Sequence, residues 1–509
     1  ISRLDFQLLK RSLTKHSSGL YLLPRPVQLQ DVDLITPESL RRVFGLLKAT
    51  FTHIVLDVSK GFTATDLAAF EFANDADAVI FGAVGGSLLL TIWLGTEKSQ
   101  QAMIIVSAIS ALLVLDAALT ETDGEKGRMR LAGTLLLAGA MASAVLLART
   151  VNGVPPELVA YGRYTAVRAG EGDVIYMGEG WNASVAVTRL SNGVLNYHNA
   201  GKVQASSEPQ DMRLQRMLGH ITTLVPTTPS KVLVIGCGAG VTAGAVSIDP
   251  MVTEQIIAEI EPLVPRVVST HFSEHNFDVV RNPKVRIHLD DARHYLMTTD
   301  ETFDAITSDP LDPWVKGAAT LYTREFFEEV KQHLNPGGVV TLFVQLYESS
   351  EAAAKSEIAT FFEAFPNGAV FANTINGQGY DLVLFGQVDP GPIDVDRVQQ
   401  RLEDPANARM AESLREVGIF SAVDLFATYA GSRADMQRWL SDAIINTDRN
   451  LKLQYLAGLG LNLYQSAAIY RNMVQESRYP EGLFEGSPET LEALRNEVTR
   501  TLGMTRPQF

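Results

Sequence analysis

Cysteine is nearly absent: Cys237 is the only one in 509 residues, so no disulfide framework is available and a reducing compartment is the default for the soluble part. Basic charge is short as well. Lys and Arg number 43 against 58 Asp and Glu, a formal net charge of -15, which argues against nucleic acid as the main partner and suits a small cationic one. No signal peptide of charged, apolar and cleavage regions opens the chain, which starts at Ile1 rather than Met, so a fragment of a longer reading frame is expected. The length allows two or three domains with sizeable cores.

What is present is organised around KVLVIGCGAGVTAG, Lys231 to Gly244. The β-branched run Val232 to Ile235 reads as a buried parallel strand. Gly236, Gly238 and Gly240 break it into a tight turn, and a small-residue helix follows, its N-terminus facing a ligand. Glu259 ends the next apolar run, Gln255 to Ile260, where a carboxylate can accept from ribose hydroxyls.

Ahead of this, residues 1–75 read as a partial α/β piece. Thr52 to Val58 is a buried strand carrying Asp57 near its end, and Thr36-Pro37-Glu38-Ser39 opens a helix with a proline in its first turn. The segment SGLYLLPRPVQLQDVDLITPESLRRVFGLLKATFTHIVLDVSKGFTATDLAAFE resembles the later part of TadZ/CpaE-type pilus-assembly ATPases, relatives of MinD and ParA. The resemblance implies that Asp57 lies near a nucleotide's magnesium. The Gly-rich loop and lysine that cradle phosphates are missing, so ATP binding is not expected.

Residues 76–150 change character. Ala78 to Gly95 and Leu131 to Ala148 carry no charge, and Ala102 to Leu119 carries only Asp116. Three membrane-embedded helices rich in Gly, Ala and Ser are expected. Lys126, Arg128 and Arg130 place the loop before the third on the cytoplasmic side. With three crossings the parts on either side of the membrane region face opposite ways, although the glycine-turn domain is expected in the cytoplasm, on a bacterial inner membrane. Either one segment does not span or the chain is truncated or artificially joined, and the second is favoured because the ATPase-like piece stops mid-fold where the membrane part begins.

Residues 155–205 read as a small antiparallel β domain: Ala183 to Leu190 alternates, Ser191-Asn192-Gly193 turns, and Val194 to His198 returns. A connecting helix over 206–225 leads into a doubly wound α/β domain, 206–390, whose last strands are Thr341 to Leu346 and Asp381 to Phe385. Residues 391–509 read as a helical extension with a packing or membrane-proximal role.

Acids recur at successive strand ends: Glu259 and Glu261, then Asp290 and Asp291 after VRIHL, then Asp309 and Asp312 in DPLDP. In an open α/β sheet such positions converge on one crevice outside the carboxyl ends of the strands.

The order GCGAG, EIE, DDAR, DPLDP, LYTREFF, LNPGG behind a small β domain resembles the spermidine synthase family of aminopropyltransferases, over roughly Tyr161 to Gln387. LGH before the strand, GVTAG after the glycines and PW-x-x-GAATLYTREF are most similar to the bacterial membrane-fused members. The resemblance implies a Rossmann-like class I methyltransferase fold. It also implies a decarboxylated S-adenosylmethionine (or S-adenosylmethionine) co-substrate, a polyamine acceptor and no metal. Membrane lipid is a further expected partner, and a homodimer is compatible with the family.

Carried over by residue, Gly236, Gly238 and Gly240 approach the donor's methionine-derived part, Glu259 holds the ribose hydroxyls, and Asp290 and Asp291 serve the adenine end. Asp309 is the proton acceptor, Asp312 a polyamine-binding acid, and Tyr322 an aromatic near the pocket. Asn182, after Trp181, stands where the family has a glutamine, and Gln210, Asp211 and Leu214 stand where it has an Asp-Glu pair and a tyrosine. The donor side is thus better matched than the amine side. Two other readings share the fold: a methyltransferase using S-adenosylmethionine itself, and a non-catalytic membrane protein that binds a nucleoside or polyamine.

Overall fold

The computed structural model describes residues 14–15, 21–22, 91–120 and 128–504, and the chain divides after Gly153 into two units. The expected strand at Thr52 to Val58, with Asp57, and the first apolar segment up to residue 90 lie outside the described residues.

In the first unit a short antiparallel pair, β1 (Thr14–Lys15) and β2 (Tyr21–Leu22), is followed by helices α1 (Thr91–Thr120) and α2 (Arg128–Arg149). Gly95 breaks α1 with φ 76°, a left-handed value that favours glycine. Helices α1 and α2 pack together, with Ser99 on α1 and Ala144 and Ala148 on α2 buried, while Trp93, Leu136, Leu146 and Leu147 are exposed. Among the described residues no helix is long and apolar enough to cross a membrane; the expected segments Ala78 to Gly95, Ala102 to Leu119 and Leu131 to Ala148 each run partly outside them, by backbone or by side chain. Glu97, Lys98, Gln100 and Gln101 follow the Gly95 break and interrupt the apolar run of α1.

The second unit begins with α3 (Pro156–Tyr161) and a four-stranded antiparallel sheet in the order β3 (Gly172–Glu179), β4 (Ser184–Leu190), β5 (Leu195–Asn199), β6 (Lys202–Ser206). The β4–β5 turn closes with Leu190 N donating to Val194 O at 2.8 Å, and Gly193 takes φ 88°. Helix α4 (Pro209–Leu224) has proline in its first turn and buries Met212, Met217, Leu218, Ile221 and Leu224 against the main sheet.

That sheet has eight strands. Its parallel part is β11 (Leu334–Gln345), β10 (Phe303–Ser308), β7 (Lys231–Ile235), β8 (Glu254–Glu259), β9 (Val285–Leu289), in that spatial order. Val232, Leu233, Val234 and Ile235 are essentially inaccessible, as a parallel strand covered on both faces requires. Strands β12 (Ala369–Ile375) and β13 (Gln378–Gln387) add antiparallel pairs beyond β11. This is a Rossmann-like α/β fold. Its topological switch falls between β7 and β10, because β8 and β9 extend one way and β10 the other.

The C-terminal extension is not only helical. β15 (Tyr429–Ser432) forms the sheet's outer edge against β12, and β14 (Ile393–Asp394) pairs with β16 (Phe484–Glu485). The helices Val395–Glu403 and Ala408–Arg415 lock it to the α/β core. Arg401 reaches the fully buried Asp249 at 2.7 Å, and Ser413 Oγ lies 2.8 Å from both Arg216 and His220. One large apolar core runs from the small sheet through these helices, and a smaller cluster of Val159, Ala160, Tyr161 and Ala186 joins α3 to β4.

Candidate active site

At the end of β7 the chain turns with Gly236 at φ 83° and Gly240 at φ 79°. A Cβ on Gly236 would lie 3.2 Å from the Asp309 carbonyl oxygen, and one on Gly240 would meet Asn276 Nδ2 at 2.8 Å. Glycine is thus required by both backbone angle and close approach. Helix α5 (Val241–Ser247) follows, and its Thr242 hydroxyl donates to Asp309 Oδ2 at 3.1 Å.

Asp309 directly follows β10, and its N–H donates to Ile235 O at 3.2 Å, so the two neighbouring strand ends are tied. Burial pushes its carboxyl up to about 6; the Thr242 hydrogen bond opposes this rise and the nearby Asp211 charge adds to it. A carboxyl so placed loses and gains a proton near neutral pH, as a general base must.

Glu259 closes β8, with Oε2 accepting from Cys237 N at 2.8 Å and Oε1 from Glu261 N at 2.9 Å. Burial raises its pKa while these backbone bonds hold it down. Glu261 turns toward the small sheet: Oε2 accepts from Asn182 N at 2.6 Å and Ala183 N at 3.2 Å, and the Asn182 side chain donates to Ile260 O at 2.6 Å. The loop between β3 and β4 is thereby pinned to the end of β8. Asp291 caps α6 (Ala292–Thr298), accepting from His294 N at 2.9 Å.

These groups meet around one cavity of about 620 Å³. Gly236, Gly238, Glu259, Asp291, Asp309 and Asn182 line it, together with Glu261, Tyr197 and Gln204. Its other walls are largely apolar and include Leu158, Leu321 and Phe343. Four carboxylates face one ammonium, the exposed Lys316, so the lining favours a cationic guest.

The remaining expected residues are placed otherwise. Gly240 caps α5 behind the cavity wall. Asp290 turns outward to His294 Nδ1 at 2.7 Å. Asp211 accepts from the Ser206 hydroxyl and stands beside Tyr380, with burial raising its pKa. Tyr322 is buried in the core and does not reach the cavity. Asp312 is also buried, with Lys202 Nζ at 3.0 Å and Gln204 Nε2 at 3.2 Å from its Oδ2.

Sequence reasoning missed Thr242, Lys202, Gln204, Tyr347 and Glu348. Lys202 and Gln204 lie at an irregularity in the β5–β6 register that plain alternation does not signal, whereas the strand-end rule that found Asp309 applies equally to Tyr347 and Glu348 just after β11.

The spermine/spermidine synthase domain model matches residues 211–382. A polyamine aminopropyltransferase of Aeropyrum pernix is 30% identical over 223 residues, spanning 43% of this chain and 71% of that protein. Polyamine aminopropyltransferase 2 of Hyperthermus butylicus is 28% identical over 208 residues, 39% of this chain and 67% of the relative. Among solved structures, spermidine synthase from Thermotoga maritima aligns with a TM-score of 0.40 and 20% identity, over 48% of this chain and 87% of that one. The match to the Aeropyrum protein, over most of its length and through the segment that builds this cavity, makes the chain a transferase of the polyamine aminopropyltransferase (spermine/spermidine synthase) family.

Proposed function

We propose that the protein moves an aminopropyl group from decarboxylated S-adenosylmethionine to an amine acceptor of the polyamine class, with Asp309 taking the proton. The observation that carries this reading is the acid-lined cavity at the switch point, with one carboxyl raised to about 6 at its wall. Glu259 and Asp291 line the part beyond β8 and β9 where a nucleoside's hydroxyls and amino group would find acceptors.

In the step itself the acceptor's amine lone pair attacks the aminopropyl carbon bound to the sulfonium. A C–N bond forms, the C–S bond breaks with its pair going to sulfur, and neutral methylthioadenosine leaves. The proton on the new ammonium passes to the Asp309 carboxylate. The sulfonium is already an activated leaving group, so the protein's work is to align the amine and remove its proton. An acid-rich lining also opposes intact S-adenosylmethionine, whose carboxylate it would repel, and this weighs against the methyltransferase alternative.

Association with a membrane belongs to the same proposal. The exposed apolar side chains of α1 and α2, Trp93, Leu136, Leu146 and Leu147, support it, with the catalytic unit on the cytoplasmic side. The test is mass-spectrometric product analysis of the chain offered each donor with putrescine and with spermidine. Methylthioadenosine and an amine heavier by one aminopropyl group are expected; a methylated amine with S-adenosylhomocysteine would overturn the reading.

A further inference from the structure

The two acids of DPLDP have opposite surroundings. Asp309 accepts from a neutral hydroxyl and faces the cavity, whereas Asp312 is already matched to a cation of the chain itself. Lys202 Nζ lies 3.0 Å from Asp312 Oδ2, 3.1 Å from its Oδ1 and 3.4 Å from Glu348 Oε2. It also stands 5.0 Å from the centre of the Tyr347 ring. The other carboxylate is shared: Arg163 reaches Glu348 Oε1 at 3.2 Å. Lys202 and Arg163 thus sit directly against Asp312 and Glu348, and Lys202 also acts on the buried Asp211 and Asp381 farther off. Lys202, Asp312 and Glu348 are all more than nine-tenths buried at their side chains.

We propose that Lys202 is an internal ammonium that fills the acidic subsite at Asp312, so that the acceptor is recognised through one ammonium and the methylenes beside it, whatever charge its far end carries. The inference rests on the aminopropyl-transfer reading and narrows its acceptor. A second ammonium arriving at Asp312 finds its charge already compensated and both oxygens hydrogen-bonded, so nothing repays its loss of water. The amine delivered to Asp309 meets a carboxylate whose side-chain partner is the neutral Thr242 hydroxyl, while the cavity's other acids, Glu259, Glu261 and Asp291, stand at the end assigned to the donor. Beyond it the acceptor runs along Pro310, Leu311, Leu321 and Phe343, an apolar wall that suits methylenes. Diamines therefore bind through one end and gain nothing from the other. Lys202 is thus a specificity-determining residue that occupies the place a second charge would take, without touching the reacting atoms.

Calorimetric binding of 1,4-diaminobutane and of n-butylamine to the complex with methylthioadenosine tests this without requiring turnover. In the wild-type chain the two amines should bind within about threefold of each other, since only one charge is recognised. Lys202→Met should raise the preference for the diamine about tenfold or more, the scale of a charge-assisted contact. Lys202→Arg, which keeps a cation, should retain the wild-type ratio, and Lys202→Met with Asp312→Asn should abolish the gain. A wild-type preference for the diamine of tenfold or more, a gain that survives in the double variant, or no change in Lys202→Met overturns the proposal. Failure of both amines to bind any variant also overturns it. Amine binding in the predicted ratios with no transfer product refutes the reaction and leaves the role of Lys202 standing.

Discussion

Thr242 donates a hydrogen bond to Asp309 across 3.1 Å, joining the helix after the glycine turn to the residue after β10. The bond favours the ionised carboxyl and so counteracts the burial that raises its pKa. Thr242→Val removes it without changing the side chain's shape. In the proposed reaction Asp309 must be ionised to take the proton, so kcat/KM should rise with pH through about 6 in the wild type. In Thr242→Val the limb should move upward by about one unit. A pH–rate profile whose limb does not move removes Thr242 from this role.

The raised pKa of Asp309 has a consequence for stability. The folded protein holds that proton more tightly than the unfolded chain does. The associated stability is therefore complete at pH values below the ordinary carboxyl range and is lost as pH rises through about 6. Asp309→Asn, which cannot ionise, should be more stable than wild type at pH 8 by about 3 kcal/mol and equal to it near pH 3. Urea unfolding at the two pH values measures the difference.

Glu261 holds the loop that carries Asn182 through two backbone N–H groups. In Glu261→Gln an amide NH2 takes the place of one carboxylate oxygen and faces donors. Affinity for methylthioadenosine should fall about tenfold, the scale of losing charge-assisted bonds, with the fold retained. Calorimetry with the nucleoside checks this; unchanged affinity would show that the loop does not shape the donor end.

Arg401 and Asp249 secure the C-terminal extension to the core, and Asp249 is fully buried. Arg401→Ala leaves an uncompensated buried charge and should destabilise the second unit by about 3–5 kcal/mol. A urea midpoint equal to that of wild type would contradict it.

The donor side of this site was legible because its determinants are local. A β-branched strand, three glycines and an acid at the next strand end each answer to a backbone rule, and Glu259, Asp291 and Asp309 all reach the cavity. The amine side was not, because it depends on pairs distant in the chain. Lys202 and Asp312 are 110 residues apart, and no period along β6 tells that one faces the other. Asp290 was misplaced for a simpler reason: of two adjacent acids only one can point inward, and His294 one turn on draws Asp290 out. The strand Tyr429–Ser432 was hidden because four residues at a sheet edge carry too short a pattern to separate from a helical surround.

In the proposed reaction Asp309 takes the acceptor's proton. Turnover of decarboxylated S-adenosylmethionine with an amine, followed as methylthioadenosine released by Asp309→Asn and by wild type, tests it most directly. Loss of about two to four orders of magnitude in kcat, with methylthioadenosine affinity nearly unchanged, is the predicted result. Turnover equal to that of wild type would contradict the account.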